Sequence, residues 1–194
     1  MGSLFSKKGS PGTNKMLLES KLMPDRMVAG FACVTPEMCR EMGIRGLICD
    51  IDNTLATYDD DDMPESVEKW IGEMKAAGIG VAFVSNNTAE RVTRFIGGRD
   101  IPGFPDAHKP GTRYFKAAAD AIGCADGGAV VLGDQLLTDC LAAHRAGLRA
   151  IIVPPIKDRT GAFFRFKRWI EVPYIRKYLK KDPGCGVTGS VWQK

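Results

Sequence analysis

The stretch Leu47-Ile48-Cys49-Asp50-Ile51-Asp52-Asn53-Thr54-Leu55 constrains this chain more than any other. It is an apolar run, bounded by Gly46, that ends on two carboxylates one residue apart. Such a run reads as a buried strand, and acids at its carboxyl end stand where open α/β sheets bind ligands. At an effective dielectric near 20, two carboxylates about 4 Å apart repel by about 4 kcal/mol. A cation or a shared proton has to relieve that repulsion, unless the acids form a solvated loop. Taken alone, the Asp-x-Asp pair leaves both readings open.

The rest of the chain repeats the pattern. Lys15 to Met23 reads as a short helix, Pro24-Asp25 as a turn, and Met27 to Phe31 as an extended stretch. Thr35 caps a helix with Pro36 at its first position, and Gly43 ends it. After Leu55 come Tyr58 and the acid run Asp59 to Asp62, a solvated loop because consecutive side chains cannot easily converge on one ion. Pro64 opens a helix whose Val67, Trp70, Ile71 and Met74 form one apolar face. Ile79 to Val84 is a second buried strand, ending at Ser85-Asn86-Asn87-Thr88, and the next helix turns Val92, Phe95 and Ile96 inward. Ile101 to Phe104 is a short strand leading to His108-Lys109-Pro110, followed by a helix with Phe115, Ala119 and Ile122 inward. Ala129 to Leu132 is a further strand, ending at Gly133-Asp134-Gln135-Leu136-Leu137-Thr138-Asp139, and Arg149 to Val153 is the last. Four strands therefore end in polar chemistry on one edge. Helices separate them, so the sheet is parallel and covered on both faces.

At 194 residues the chain suits one domain. No 18-residue apolar window is present, which excludes a helical membrane span. The six cysteines form no C-x-x-C pair and read as reduced core thiols. The amino end lacks the apolar h-region of a signal peptide, which points to the cytoplasm or an organelle interior. The residues divide into a flexible leader at 1–14, a main α/β domain at 15–156 and a basic, aromatic extension at 157–194. The leader begins Met1-Gly2-Ser3-Leu4-Phe5-Ser6, which fits a myristoylation pattern that also matches often by chance. From Lys157 to Asp182 there are nine Lys/Arg against three Asp/Glu, so the mild net charge of +4 is concentrated in the extension.

Four motifs now stand in order: Asp50-Ile51-Asp52-Asn53-Thr54-Leu55, Ser85-Asn86-Asn87, Lys109-Pro110, and Gly133-Asp134-Gln135-Leu136-Leu137-Thr138-Asp139. In this order and spacing they resemble the haloacid dehalogenase (HAD) superfamily of aspartate-nucleophile phosphatases. With Pro24-Asp25 and the run Ile151 to Ile156, the chain is similar to the small subclass III phosphatases of the YqeG type, a group that includes a mitochondrial phosphatidylglycerophosphate phosphatase. His144-Arg145 departs from that pattern, which has Asn before the Arg. The implied fold is a HAD-like Rossmannoid α/β sheet with no cap domain. The implied chemistry makes Asp50 the nucleophile and Asp52 the acid/base, with Ser85, Asn86 and Lys109 on the phosphoryl group and Lys109 also steadying Asp50. Mg2+ would be held by Asp50, the Asp52 backbone carbonyl and Asp134, and Asp139 would orient Asp134 or Lys109.

Only eight residues separate Leu55 from Pro64, so no cap can be inserted there and the site is open. An open site suits a phosphate on something large, such as a lipid headgroup at a membrane or a macromolecule, and the resemblance implies a phospholipid headgroup, that of phosphatidylglycerophosphate. A phosphoprotein or sugar phosphate, and a non-catalytic phosphate-binding module, are the competing readings; nucleic acid is not an expected partner. The aromatic and basic segment 161–181 either lies on an anionic bilayer, holding a cytoplasmic protein peripherally on the inner membrane face, or packs on the sheet with a solvated basic face. Pro173 is expected to break it, so that no single long helix forms.

Overall fold

The computed structural model describes residues 18–157, 161–182 and 187. The leader at 1–14, its myristoylation pattern and most of the last dozen residues lie outside that range. Six strands, β1 (Arg26–Met27), β2 (Gly46–Cys49), β3 (Gly80–Val84), β4 (Gly103–Phe104), β5 (Ala129–Gly133) and β6 (Arg149–Ile152), form one sheet in the order β1-β6-β5-β2-β3-β4. Every pairing is parallel. The helices are α1 (Pro36–Glu41), α2 (Glu65–Ala76), α3 (Ala89–Ile96), α4 (Arg113–Ala121), α5 (Leu141–Ala146) and α6 (Ala162–Lys181).

The alternation of side chains along a strand sorts the core into two layers. Leu47 and Cys49 of β2, with Val81 and Phe83 of β3, pack with Val67, Trp70 and Met74 of α2 and with Phe95 of α3. Ile48 and Ala82 point the other way, toward Phe115 of α4, Ala142 of α5 and Ile175 of α6. Burying a Leu, Ile or Phe contributes about 1.5–3 kcal/mol. The central strands are therefore the most expensive part of the molecule to distort, and the site stands on their ends. The caps follow the sequence: Thr35 Oγ1 accepts from Met38 N at 3.2 Å, and Gly97 closes α3 in the left-handed region with φ 59°.

Some expectations are revised. The extended stretch at 27–31 is shorter, because Phe31–Cys33 forms a 3-10 turn, and Cys33 is exposed rather than in the core. Before α5 the chain makes one π-helical turn, Leu136–Cys140. Pro173 sits inside α6 without breaking it. It lies, exposed, one turn after the exposed Trp169, on the solvent side of the helix. Asp25 has a structural explanation: its Oδ2 accepts from Ala150 N and faces His144 Nε2, both at 2.8 Å, bracing the edge strand β1.

Candidate active site

Register brings the motifs together. Cys49 lies between Phe83 and Leu132, so Asp50, Ser85 and Asp134 emerge from β2, β3 and β5 at the same sheet edge. They border a cleft of about 340 Å³ whose lining includes Asp50, Asp52, Ser85, Asn86 and Lys109.

Lys109 is the hub. Its Nζ lies 2.7 Å from Asp50 Oδ1 and 2.7 Å from Asp139 Oδ1, with all three side chains buried. Ile51 N also donates to Asp50 Oδ1, at 2.9 Å. The backbone before the cis Lys109-Pro110 bond is fixed by Asn86, whose Oδ1 accepts from Lys109 N at 2.6 Å. Ser85 Oγ accepts from Asn87 N at 3.0 Å, which shapes the turn after β3.

Asp139 is held on both oxygens, since its Oδ2 accepts from Gln135 N and Thr138 Oγ1, each at 3.2 Å. Gly133 makes this possible. A Cβ there would lie 2.4 Å from the Asp139 Cβ and Cγ, so only glycine lets the π turn close against β5.

Oxygens of Asp50, Asp134 and Asp139 lie within 4.8 Å of one another. Three buried carboxylates thus face one ammonium, and the proton affinities of Asp50 and Asp134 rise. Burial pushes Asp50 up to about 8; Lys109 opposes this while Asp139 and Asp134 add to it. Burial and the Asp139 charge push Asp134 up to about 6, against Arg168. Burial by itself would lower Lys109, but the Asp139 and Asp50 carboxylates outweigh it and keep the ammonium charged. An all-oxygen donor set with surplus negative charge fits a hard divalent cation such as Mg2+. Gln135 adds a buried Oε1 with no hydrogen-bond partner among the described residues, while its Nε2 donates to Asp134 Oδ1 at 3.3 Å.

Asp52 stands apart from this cluster. Its Oδ1 accepts from Arg91 Nη2 at 3.2 Å and Nε at 3.3 Å, and its Oδ2 from Asn87 Nδ2 at 3.2 Å. The crowding anticipated between Asp50 and Asp52 is instead among Asp50, Asp134 and Asp139, because Asp52 finds its own cation. The acid run after it is also tied down: Asp60 Oδ2 accepts from Thr57 N at 2.7 Å, and Asp61 takes donors from Arg91 and Arg94.

The C-terminal helix completes the cleft. Phe164 and Lys167 of α6 line it, so the uncapped site has a wall supplied by the extension. Arg168 Nη1 donates to the Asp134 carbonyl at 3.2 Å and to Glu171 at 3.1 Å, and Nη2 to Asp134 Oδ2 at 3.4 Å. Glu171, only 1% exposed, also accepts from Leu137 N at 3.0 Å. Its burial pushes the carboxyl up to about 7, against Arg168 and the Leu137 N–H. Neither Arg168 nor Glu171 is marked by the four motifs. The outer face of α6 leaves Phe166 and Trp169 exposed, at 56% and 72%, with stacked rings 6.1 Å apart.

A parallel sheet presenting this set of carboxylates, serine and lysine in this chain order defines a HAD-like hydrolase. A family model described as mitochondrial PGP phosphatase matches residues 9–94, and a HAD-hydrolase-like model matches residues 107–160. The probable phosphatase YqeG of Bacillus subtilis (strain 168) is 37% identical over 155 residues, covering 80% of this chain and 90% of that protein. Among solved structures, CbbY from Rhodobacter sphaeroides in complex with phosphate aligns at 16% identity over 62% of this chain and 90% of its own, with TM-score 0.47. A HAD superfamily (subfamily III A) hydrolase from Legionella pneumophila aligns at 18% identity over 87% and 99%, with TM-score 0.46. The chain belongs to the HAD-type phosphatases of the YqeG family.

Proposed function

We propose that this phosphatase hydrolyses a phosphomonoester through an aspartyl-phosphate on Asp50, with Mg2+, and that its substrate is the terminal phosphate of phosphatidylglycerophosphate. The observation that carries the first part is Lys109 Nζ at 2.7 Å from both Asp50 and Asp139. Oδ1 of Asp50 is held by Lys109 and the Ile51 N–H, which leaves Oδ2 to attack phosphorus in line. As the Oδ2–P bond forms, the ester P–O bond breaks with its electron pair on the leaving oxygen, and Asp52 supplies the proton. Water then attacks the aspartyl-phosphate, Asp52 takes its proton, and phosphate leaves Asp50 regenerated. Ser85 and Asn86, at the end of β3, bind the phosphoryl oxygens together with Lys109, so the charge that develops meets groups already in place. Mg2+ held by Asp50 and Asp134 would supply further positive charge to those oxygens. Asp139, engaged on both carboxylate oxygens, props Lys109.

The lipid assignment is supported by the PGP phosphatase model matched at residues 9–94 and by the placement of α6. That helix lines the cleft with Phe164 and Lys167 while exposing Phe166, Trp169, Arg176, Lys177 and Lys180. An aromatic and cationic face of this kind suits the interface of an anionic bilayer, so the enzyme works peripherally on the inner membrane face from the cytoplasmic side, with residues 157–194 as its docking extension on the catalytic domain 15–156. The test is phosphate release from phosphatidylglycerophosphate in mixed micelles beside p-nitrophenyl phosphate and a panel of soluble phosphate esters, with and without Mg2+. The lipid should be preferred, and Asp50→Asn should abolish all turnover. A soluble ester favoured by orders of magnitude would remove the lipid assignment, and full activity in Asp50→Asn would remove the mechanism.

A further inference from the structure

Arg91, in the first turn of α3, is no part of the four motifs, yet its side chain donates hydrogen bonds to Asp52, Thr57 and Asp61 beside the cleft. Two of its nitrogens, Nε and Nη2, converge on Asp52 Oδ1 at 3.3 and 3.2 Å. Nη2 also reaches the Thr57 carbonyl at 3.2 Å, and Nη1 the Asp61 carbonyl at 2.9 Å. The guanidinium rests 5.5 Å from the centre of the Phe95 ring, and Thr88 Oγ1 accepts from the Arg91 backbone N–H. Its side chain is 12% exposed and that of Asp52 5%. One planar group thereby joins helix α3, the carboxylate after β2 and the 57–61 loop that carries the cleft residue Tyr58.

We propose that Arg91 is the positioning residue for Asp52, aiming its carboxyl group at the leaving oxygen of the substrate. This rests on the reading of Asp52 as the acid/base. A carboxylate two residues past the nucleophile has free side-chain torsions of its own, and a misplacement of about 1 Å can cost about 100-fold in rate. Arg91 removes that freedom. The fork of Nε and Nη2 occupies Oδ1, and Asn87 makes one hydrogen bond to Oδ2. Oδ2 is therefore the oxygen that exchanges a proton. In the first half-reaction that proton passes to the bridging oxygen as the P–O bond breaks and its electron pair stays on oxygen; in the second, Oδ2 takes a proton back from the attacking water. A lysine could keep the charge but could not span Asp52, Thr57 and Asp61 together.

The leaving group separates positioning from mere structural support. A p-nitrophenolate departs without a proton, whereas a glycerol alkoxide needs one. The experiment measures kcat/KM, which reports the steps up to release of the alcohol, on p-nitrophenyl phosphate and on glycerol 1-phosphate. It uses the full chain with Mg2+ and the variants Arg91→Ala, Arg91→Lys, Asp52→Asn and the Arg91→Ala/Asp52→Asn double variant. Asp52→Asn should lose about 100-fold or more on the alkyl ester and far less on the aryl ester. Arg91→Ala should lose about 10- to 100-fold in kcat/KM on the alkyl ester and less than about 3-fold on the aryl ester. Arg91→Lys should recover part of the alkyl activity. In the Asp52→Asn background, removing Arg91 should add almost nothing, because the two act as a unit. Equal losses on both esters, or losses that multiply in the double variant, overturn the proposal. If Asp52→Asn is itself indifferent to the leaving group, the acid/base reading falls and the proposal falls with it. Should Arg91→Ala fail to fold, Arg91→Lys carries the same comparison.

Discussion

Glu171→Ala probes how the C-terminal helix is tied to the carboxylates of the site. Glu171 accepts one hydrogen bond from Leu137 N at 3.0 Å and one from Arg168 at 3.1 Å, and is itself 1% exposed. Removing it leaves the Leu137 N–H without its acceptor, at about 1–3 kcal/mol. Arg168 keeps Asp134, and its side chain is 25% exposed, so that loss is screened to about 1 kcal/mol. Relief of the buried charge offsets part of the sum, because burial has already pushed Glu171 up to about 7. A net loss of about 2–3 kcal/mol follows, and for a chain of this size each kcal/mol lowers Tm by about 2–4 °C. The expected shift is therefore about 4–12 °C, read by calorimetry at pH 7 without metal. Because Arg168 also holds the Asp134 carbonyl and Oδ2, the Mg2+ concentration for half-maximal activity should rise. Glu171→Gln, which can still accept from Leu137, should lose less than half as much. A Tm unchanged within about 1 °C and an unchanged Mg2+ requirement would refute the idea that α6 is latched to the turn carrying Asp134 and Asp139.

Two further predictions concern the carboxylate cluster itself. Gly133→Ala puts a methyl group 2.4 Å from the Asp139 Cβ and Cγ, which should cost about 1–3 kcal/mol in a thermal melt. It should also lower turnover by an order of magnitude or more by pushing Asp139 off Lys109; normal activity would mean that Asp139 is not needed there. Asp50 and Asp134 are raised to about 8 and about 6, so the native metal-free protein binds protons that the unfolded chain releases. Their favourable contribution is complete below the unfolded value of 3.8 and is lost as pH rises through the folded values. Urea titrations without metal should thus show stability falling between about pH 5 and 8. Saturating Mg2+ should flatten that slope, whereas metal-free stability that rises with pH over this range would contradict the electrostatic picture.

Much of this could be seen in the residues themselves. Short apolar runs punctuated by glycine and proline located β2, β3 and β5, and the same-edge convergence of Asp50, Ser85, Lys109 and Asp134 followed from strand-helix alternation alone. What could not be seen were partnerships across sequence distance. Arg91 on the first turn of a helix looks like any solvated arginine, and nothing near it in the chain names Asp52 as its partner. Arg168 and Glu171 look like an ordinary surface pair three residues apart; only the docking of α6 over the π turn buries Glu171 and brings Arg168 onto Asp134. Pro173 carries a helix-breaking signal in the chain, yet it stands inside α6 on the solvent side of the helix, a placement local sequence does not encode. The close approach of Asp139 to Gly133 is likewise a property of the turn between them, which local periodicity does not encode.

The proposed mechanism passes through a phosphorylated Asp50. Acid quenching of the full chain during turnover of p-nitrophenyl phosphate with Mg2+, followed by peptide mass spectrometry, tests it directly. A single phosphoryl adduct on Asp50, absent in Asp50→Asn and depleted when Mg2+ is chelated, is the predicted result. Turnover with an adduct on another residue, or undiminished turnover in Asp50→Asn, would contradict it.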